Sequence, residues 1–459
     1  MSVRKLAAAA ALIGMIAGLA ACTSNDTSAD PTPTPTPSAS SSSPAPTTLR
    51  LAVYGDRTRV QTYRRIADAF TRAHPEVTIR LLTYPDASAA EAAAVQGLTD
   101  GTGPDVFLAD QYALPALVDT GRLQPVDTLL EDRGLQFGDD YQRTALSSFS
   151  AHNRLQCMPA EMSPLVVYVN TALAPRRQLV ADQITFPTVQ QPVWGWTDFL
   201  SIAQLAASSD LLGPVKGASV PVDLETLTAF VRSAGGEVVD DLLQPTSLNL
   251  ASDDALSALT QVMTLDRDPA LAPTPDELSR RNVVDWFTGG QLGMFIGTRD
   301  DLPALRAAPG LKFDVWPLPS MGRARTVARV NGYCINAGSE AVGLASDFVA
   351  FAVGPRGSTI AARSGVIVPT RVATVHQPSF VDPGLRPPSA ELYATSMRRA
   401  EPMPYSAQWP EVTTVADRAL TELLEEPATD LPTAIEEAMT RLDRRSTRLF
   451  ARGSTSPGG

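Results

Sequence analysis

The chain has 459 residues, with 49 acidic side chains against 38 Lys and Arg, and a formal charge of −11. A nucleic-acid binder calls for a basic face, so this balance argues against one, and the acidity is read as solubility. Only 6% of the residues are aromatic and three are cysteine, so each cysteine needs a reason.

At the N-terminus Arg4 and Lys5 precede an apolar run from Leu6 to Leu19, and Leu19-Ala20-Ala21-Cys22 follows, which is the layout of an export signal. The run is short of the ~20 residues that a spanning helix needs. The small residues before Cys22 resemble the lipobox of bacterial lipoproteins, which implies a signal peptide over 1–21 and a lipid on Cys22. The lipid would hold the protein at the outer face of the cytoplasmic membrane, each buried CH₂ adding ~0.8 kcal/mol. Residues 22–48 continue as a Pro/Thr/Ser tract with little to bury, so a solvated tether is expected. At ~3.1 Å per residue it would reach roughly 80 Å.

From about Leu49 some 400 residues remain, too many for one core and suited to two domains. LRLAVYGD (49–56) reads as a strand ending in a Gly-Asp turn. In VQTYRRIADAFTRAHP, Val60, Tyr63, Ile66, Ala67, Phe70 and Ala73 share a helical face, which Pro75 closes. VTIRLLTY (77–84) is a second strand, the Ala-rich 87–99 a helix, Gly101 to Pro104 a turn, and DVFLAD (105–110) a third strand. Strand and helix alternate, so a parallel sheet is expected, with ligand outside the carboxyl ends of its strands, here Tyr54-Gly55-Asp56 and Asp110-Gln111. LVVYVN (165–170) is a fourth strand, and Thr197 or Asp198 caps a helix running to 207. Helices are expected around 223–234 and 253–264, and DWFTGGQLGMFIGTRDD (285–301) is a helix end, a turn and a strand. FDVWPLP (313–319) and VNGYCINAG (330–338) are further strands, and the tail from 341 is helical. No internal repeat is visible, and residues 453–459 read as a flexible tail.

In this order the pieces resemble the extracellular solute-binding proteins of ABC importers, in particular the carbohydrate-binding family related to maltose-binding protein. IADAFTRAHPEVTIRL looks like that family's first helix and second strand, GPDVFLAD like its third strand, and MSPLVVYVNTAL like its crossover into the second lobe. WFTGGQLGMFIGT, VNGYCINAGSE and SGVIVPTR are similar to later family segments. The resemblance implies an α/β, two-lobed periplasmic-binding-protein type II fold, each lobe a mainly parallel sheet flanked by helices, joined by crossing hinge strands. The implied limits are 49–160 plus 298–338 for lobe 1 and 161–297 plus 339–452 for lobe 2. The implied function is capture of a small solute, a sugar or oligosaccharide, in the interlobe cleft and its delivery to the transmembrane subunits of an ABC permease, by a monomer that needs no cofactor or metal and is not an enzyme. A cleft between lobes is a usual place for such a site, and hinge closure would bury the ligand.

A pyranose offers an apolar face and a rim of hydroxyls, so it calls for aromatic platforms beside carboxylate, amide or guanidinium partners. Candidates at strand ends and cleft-side loops are Tyr54, Asp56, Asp110, Glu161, Trp286, Arg299, Asn331, Tyr333, Tyr405 and Trp409. Core packing competes for Trp286, and a helix cap competes for Asp110; Trp194 and Trp196 are assigned to packing. The family's usual tryptophans in the first loop and after Gly297 are missing here, and Arg299 would equally suit an anionic ligand. A secreted glycan-processing hydrolase is the rival class, although no G-x-S-x-G elbow appears and His74, His152 and His376 have no zinc-ligand spacing. Paired carboxylates remain open to that class. A lipoprotein of this fold acting as sensor or assembly partner is the third reading. With Cys22 lipidated, Cys157 and Cys334 are left as an even pair in an oxidising compartment. The family pattern places both in first-lobe strands near the crossovers, which implies a Cys157–Cys334 disulfide, with two buried free thiols as the alternative.

Overall fold

The structure is a computed structural model that describes residues 47–209, 214–425 and 429–452. The expected signal peptide, Cys22, nearly all of the tether and the tail 453–459 lie outside the described residues. The strands of the two main sheets are β1 (Thr47–Tyr54), β2 (Val77–Tyr84), β3 (Val106–Asp110), β4 (Leu123–Gln124), β5 (Cys157–Pro164), β6 (Val166–Asn170), β7 (Lys216–Ser219), β8 (Leu292–Gly297), β9 (Phe313–Trp316), β10 (Thr326–Asn336) and β11 (Ala400–Glu401). The first sheet runs β11-β10-β3-β1-β2, with β4 and β5 also paired to β10, and the second runs β9-β6-β8-β7. Contacts hold both sheets in one compact unit.

Parallel pairing is found for β1 with β2 and β3, for β7 with β8, and for β10 with β11. It does not extend through either sheet, so both are mixed. β10 runs antiparallel to β3, β4 and β5, and β6 runs antiparallel to β8 and β9. The reason lies in the crossings. β5 leads through Leu165 alone into β6 of the other sheet, and β9 leads back into β10, so each sheet carries a strand that arrives from its neighbour.

The helices that matter here are α1 (Arg57–Ala73), α2 (Ala87–Asp100), α3 (Trp196–Ala207), α4 (Leu224–Ala234), α5 (Asp253–Asp266), α6 (Val283–Thr288), α7 (Val342–Val353), α8 (Pro355–Ala362), α9 (Leu392–Arg399), α10 (Trp409–Glu425) and α11 (Leu431–Ala451). The Asp56 side chain accepts from the Arg59 N–H to start α1, which buries Tyr63, Ile66, Ala67 and Phe70 against the first sheet. Each such large apolar side chain, fully buried, contributes ~1.5–3 kcal/mol. Trp194 and Trp196 are packing residues: both are buried and pack edge-on or stacked on Phe199 and neighbouring rings.

The lobe limits expected from sequence differ from the sheets. β9, expected with the first sheet, pairs with β6 in the second. The helices α7 and α8, expected with the second lobe, pack on α1 of the first, where Phe348 and Phe351 meet Phe70 edge-on at 5.5 Å. Apolar faces bury against the nearest complementary face, and for α7 that face is on α1. The last two helices, α10 and α11, pack with α4 and α5 of the second lobe.

Candidate functional site

The strand ends of the first sheet repeat one local design. Asp56 follows β1, Asp86 follows β2, and Asp110 ends β3, and each turns its Oδ1 onto the backbone N–H that starts the next helical turn: Arg59, Ala89 and Tyr112, at 2.8, 2.9 and 2.8 Å. An aspartate before a helix satisfies an amide that has no partner within the helix. Gly55 makes the first of these turns with φ +119°, and a Cβ there would stand 2.8 Å from Arg59 Cδ. Glycine thereby lets the Arg59 side chain lie across the end of β1.

Arg59 then reaches inward. Its Nη1 donates to Glu161 Oε2 at 2.6 Å and its Nη2 donates to Asp300, which follows β8 of the second sheet. Glu161, on β5, also accepts from the Tyr63 hydroxyl at 2.6 Å and from Asn331 Nδ2 at 3.0 Å, and Asn331 Oδ1 accepts from the Tyr54 hydroxyl at 2.7 Å. Glu161 is 2% exposed. Burial works against the Arg59 charge, but Glu161 outweighs it and holds the guanidinium firmly protonated. Burial, together with the nearby carboxylates, pushes the Tyr54 and Tyr63 hydroxyls well up, so both stay neutral donors.

Above this network lies a cavity of about 530 Å³. Its walls are the strand-end turns (Tyr54, Asp56, Asp86, Ser88, Asp110), the crossing strands β5 and β10 (Ser163, Arg329, Asn331) and the segment after β8 (Thr298, Asp300). A second cavity of about 260 Å³ shares Ala87, Ser88, Asp110 and Arg329 with it and continues to Glu91, Tyr112, Glu225 and Trp409. The two form one cleft between the first sheet and the elements of the second. Arg329 donates to Glu225, at the start of α4, at 2.8 Å, and that carboxylate holds its guanidinium well above the ordinary range. Burial pushes the Asp110 carboxyl up to about 7, although part of it opens onto the cleft and the Tyr112 amide opposes the shift.

Of the residues expected from sequence, Tyr54, Asp56, Asp110, Asn331 and Trp409 line this cleft. Glu161 lies beneath its floor as the acceptor that fixes Arg59, Tyr63 and Asn331. Four others lie elsewhere. Arg299 is 1% exposed, donates to the Gly365 and Phe380 carbonyls at 3.1 Å, and packs its guanidinium 3.8 Å from the Phe380 ring centre, so it lies in the core and does not line the cleft. Burial lowers its pKa to about 10. Tyr333 is in the core beside Phe348. Trp286, on α6, packs on the main core under Arg281. Tyr405 lines a separate surface pocket with His152 and Gln408.

Sequence reasoning missed Arg59, Asp86, Asp300, Arg329 and Glu225. Asp86 could have been found, because the strand-end rule that picked Asp56 and Asp110 applies equally after β2. The others project from a helix, a crossing strand or the far lobe, and no local pattern marks them. Among the described residues, no group of His, Cys, Asp and Glu is arranged to hold a metal ion, and no helix is long and apolar enough to cross a membrane.

Two mixed α/β sheets joined by crossing strands, with a polar cleft at the strand ends between them, define a two-lobed binding protein. The profile of the bacterial extracellular solute-binding protein family matches residues 65–385, and the chain belongs to that family. Solved structures with the same fold include a sugar-binding protein of Xanthomonas citri (TM-score 0.73, 16% identity, 89% of this chain and 98% of that one). A cycloalternan-bound ABC substrate-binding protein of Listeria monocytogenes is similar (0.72, 18%, 87% and 99%), as is the acarbose-binding receptor of Streptomyces glaucescens (0.68, 16%, 87% and 99%). Compared by sequence with curated proteins, the chain matches none.

Proposed function

We propose that this protein captures a small saccharide in the cleft around Asp110 and delivers it to an ABC permease. It would act as a monomer, without cofactor and without turnover, anchored at the outer face of the cytoplasmic membrane by a lipid on Cys22. The observation that carries the reading is the cleft itself, where the carboxyl ends of β1, β2 and β3 meet both crossing strands and the segment after β8. Such a place is wetted, is walled from two lobes, and shrinks if the lobes approach. Two of the binding proteins that share the fold were solved with cycloalternan and with acarbose, which supports a sugar here. Tyr54, Asp56, Asp110, Asn331 and Trp409 are the proposed ligand contacts. The proposed lobes follow the sheets, with α7 and α8 assigned to the first.

A thermal-shift screen over mono-, di- and oligosaccharides tests the reading, since a ligand that binds only the folded state raises Tm. At least one sugar is expected to raise Tm, to be recovered chemically unchanged, and to bind more weakly to Asp110→Ala and Trp409→Ala proteins that still fold. Turnover of the sugar would replace this reading with a hydrolase, and silence across the screen would favour a sensor or assembly role.

A further inference from the structure

Behind the cleft wall two arginines are short of partners. Arg299 stands between Thr298 and Asp300, which line the main cavity, but is itself 1% exposed. Its Nε donates to the Gly365 carbonyl and its Nη2 to the Phe380 carbonyl, while its Nη1 is buried without a hydrogen-bond partner among the described residues. Arg306, on the helical segment Leu302–Ala307, donates from Nε to the Arg386 carbonyl at 2.7 Å, and its Nη2 is likewise buried without a partner. Among the described residues neither guanidinium is in an ion pair, and Asp382 attracts Arg299 from beyond that range. Gly365 brings the two side chains together. Its carbonyl accepts from Arg299, and a Cβ built on it would stand 3.7 Å from Arg306 Nη1. Gly365 is buried, yet apart from its chain neighbours no other atom would lie within 4 Å of that Cβ, so the fold keeps room there beside both guanidiniums.

A guanidinium stays protonated and has donors only, so a buried one calls for acceptors and for a counter-charge. The Phe380 and Tyr393 rings, with centres 3.8 and 5.0 Å from Arg299 Cζ, meet part of the second need. They cover the flat face of the guanidinium, however, and the N–H groups of Nη1 lie in its plane. A third unsatisfied group, the buried Ser379 hydroxyl, adjoins Phe380 in the chain. We propose that a monatomic anion such as chloride binds beside Gly365, held by Arg299 and Arg306. An anion supplies both the acceptor and the charge that this pair lacks, and guanidinium is the side chain best suited to hold one away from water. Room on the scale of one missing side-chain atom suits a halide better than an oxyanion. The site is separate from the solute cleft, whose walls include neither arginine, and it does not depend on which solute the cleft takes. Its occupant would tie the segment that carries Thr298 and Asp300 to the loop around Gly365.

The test compares thermal melts of the folded protein in sodium chloride and in sodium gluconate at constant ionic strength. As chloride replaces gluconate, Tm should rise and then level off, by roughly 2 °C at about ten times the dissociation constant. Arg306→Gln, at a half-buried position, should abolish the rise, and Arg363→Gln, at an exposed arginine two residues before Gly365, should keep it. Crystals grown in bromide give the direct measurement, with an anomalous peak expected beside Gly365 in the wild type and none there in Arg306→Gln. No peak beside Gly365 would overturn the proposal and leave the two Nη atoms to ordered water. A rise in Tm that persists in Arg306→Gln, or that never levels off, would overturn it as well, since it would report a general salt effect.

Discussion

Asp110 gives the sharpest check on the cleft's electrostatics, because its two states differ in the folded protein and not in the unfolded chain. Burial raises its folded pKa to about 7 from an ordinary 3.8. Between those values the folded state holds a proton that the unfolded state has released, so stability falls as pH rises through this window. The shift of roughly 3 units corresponds to ~4 kcal/mol at ~1.36 kcal/mol per unit, and water in the open cleft reduces the expected cost to about 1–2 kcal/mol. The perturbation is Asp110→Asn, which keeps an oxygen for the Tyr112 amide and removes the titration. The assay is urea unfolding of both proteins at about pH 5 and about pH 8, read as a difference of differences so that Asp266 and Asp301, which are also raised, cancel. Because about pH 5 already lies inside the window, the ligand-free wild type should lose roughly 1 kcal/mol more than the variant over this range. Parallel pH profiles would refute the reasoning and show that Asp110 is solvated as an ordinary surface carboxylate.

Three further outcomes follow from the same structure. At the end of α5, Asp266 is buried, with Oδ1 accepting weakly from Val220 N–H at 3.4 Å, Oδ2 without a hydrogen-bond partner among the described residues, and the carboxyl pushed up to about 8. Because its folded pKa is raised, its cost appears as pH rises from about 4 to about 8, so Asp266→Asn should stabilise the protein by ~1–3 kcal/mol at about pH 9 and by much less at about pH 5 in thermal melts. Cys157 and Cys334 form a disulfide across a separation of 177 residues, and Cys157→Ala with Cys334→Ala should cost ~4–5 kcal/mol in urea unfolding, less whatever order the reduced unfolded chain retains. Glu161→Gln strips the buried charge that Arg59, Tyr63 and Asn331 share, and should cost ~3–5 kcal/mol in the same measurement.

Local signals carried much of the architecture. The 3–4 spacing from Tyr63 to Phe70, Pro75 as a stop, and the run 165–170 are short-range patterns, and the corresponding helix and strands form where those patterns lie. The strand-end rule brought Tyr54, Asp56 and Asp110 to one cleft. What local pattern could not carry is partnership over long separations. Arg299 is ordinarily a surface residue type, and its burial depends on carbonyls at Gly365 and Phe380 and on the rings of Phe380 and Tyr393, all supplied by later segments. Asn331 and Tyr333 are two apart on β10, so period-2 reasoning treats them alike; Asn331 stands opposite Asp110 at the strand end, whereas Tyr333 stands opposite Leu108 in the core. The antiparallel course of β10 was likewise invisible, because its partners lie far upstream in the chain.

The disulfide, read from sequence only as an implication of family pattern, constrains where the two lobes can move. Cys157 opens β5 and pairs with Cys334 of β10, and both strands then run side by side within the first sheet to the Pro164 and Ala328 pair before they separate. The Glu161 network ties the same stretch to α1 through Arg59 and Tyr63. Covalent and ionic links therefore fix both crossing strands to the first lobe along this length. Just beyond, Leu165 N–H donates to the Val327 carbonyl at 3.1 Å, and the Thr326 hydroxyl donates to the Leu165 carbonyl at 3.2 Å. Any closing of the cleft has to be taken up at Leu165, between β9 and β10, and between β11 and α10; at the first of these a few neutral bonds of ~1 kcal/mol each stand in place of a disulfide and a buried ion pair. Like Arg329 with Glu225 of α4, the Arg59–Asp300 pair links across the cleft, since Asp300 follows β8 of the second lobe. Its carboxyl is half exposed and raised by burial against the pull of Arg59, so it is a contact that lobe movement can break or remake at modest cost.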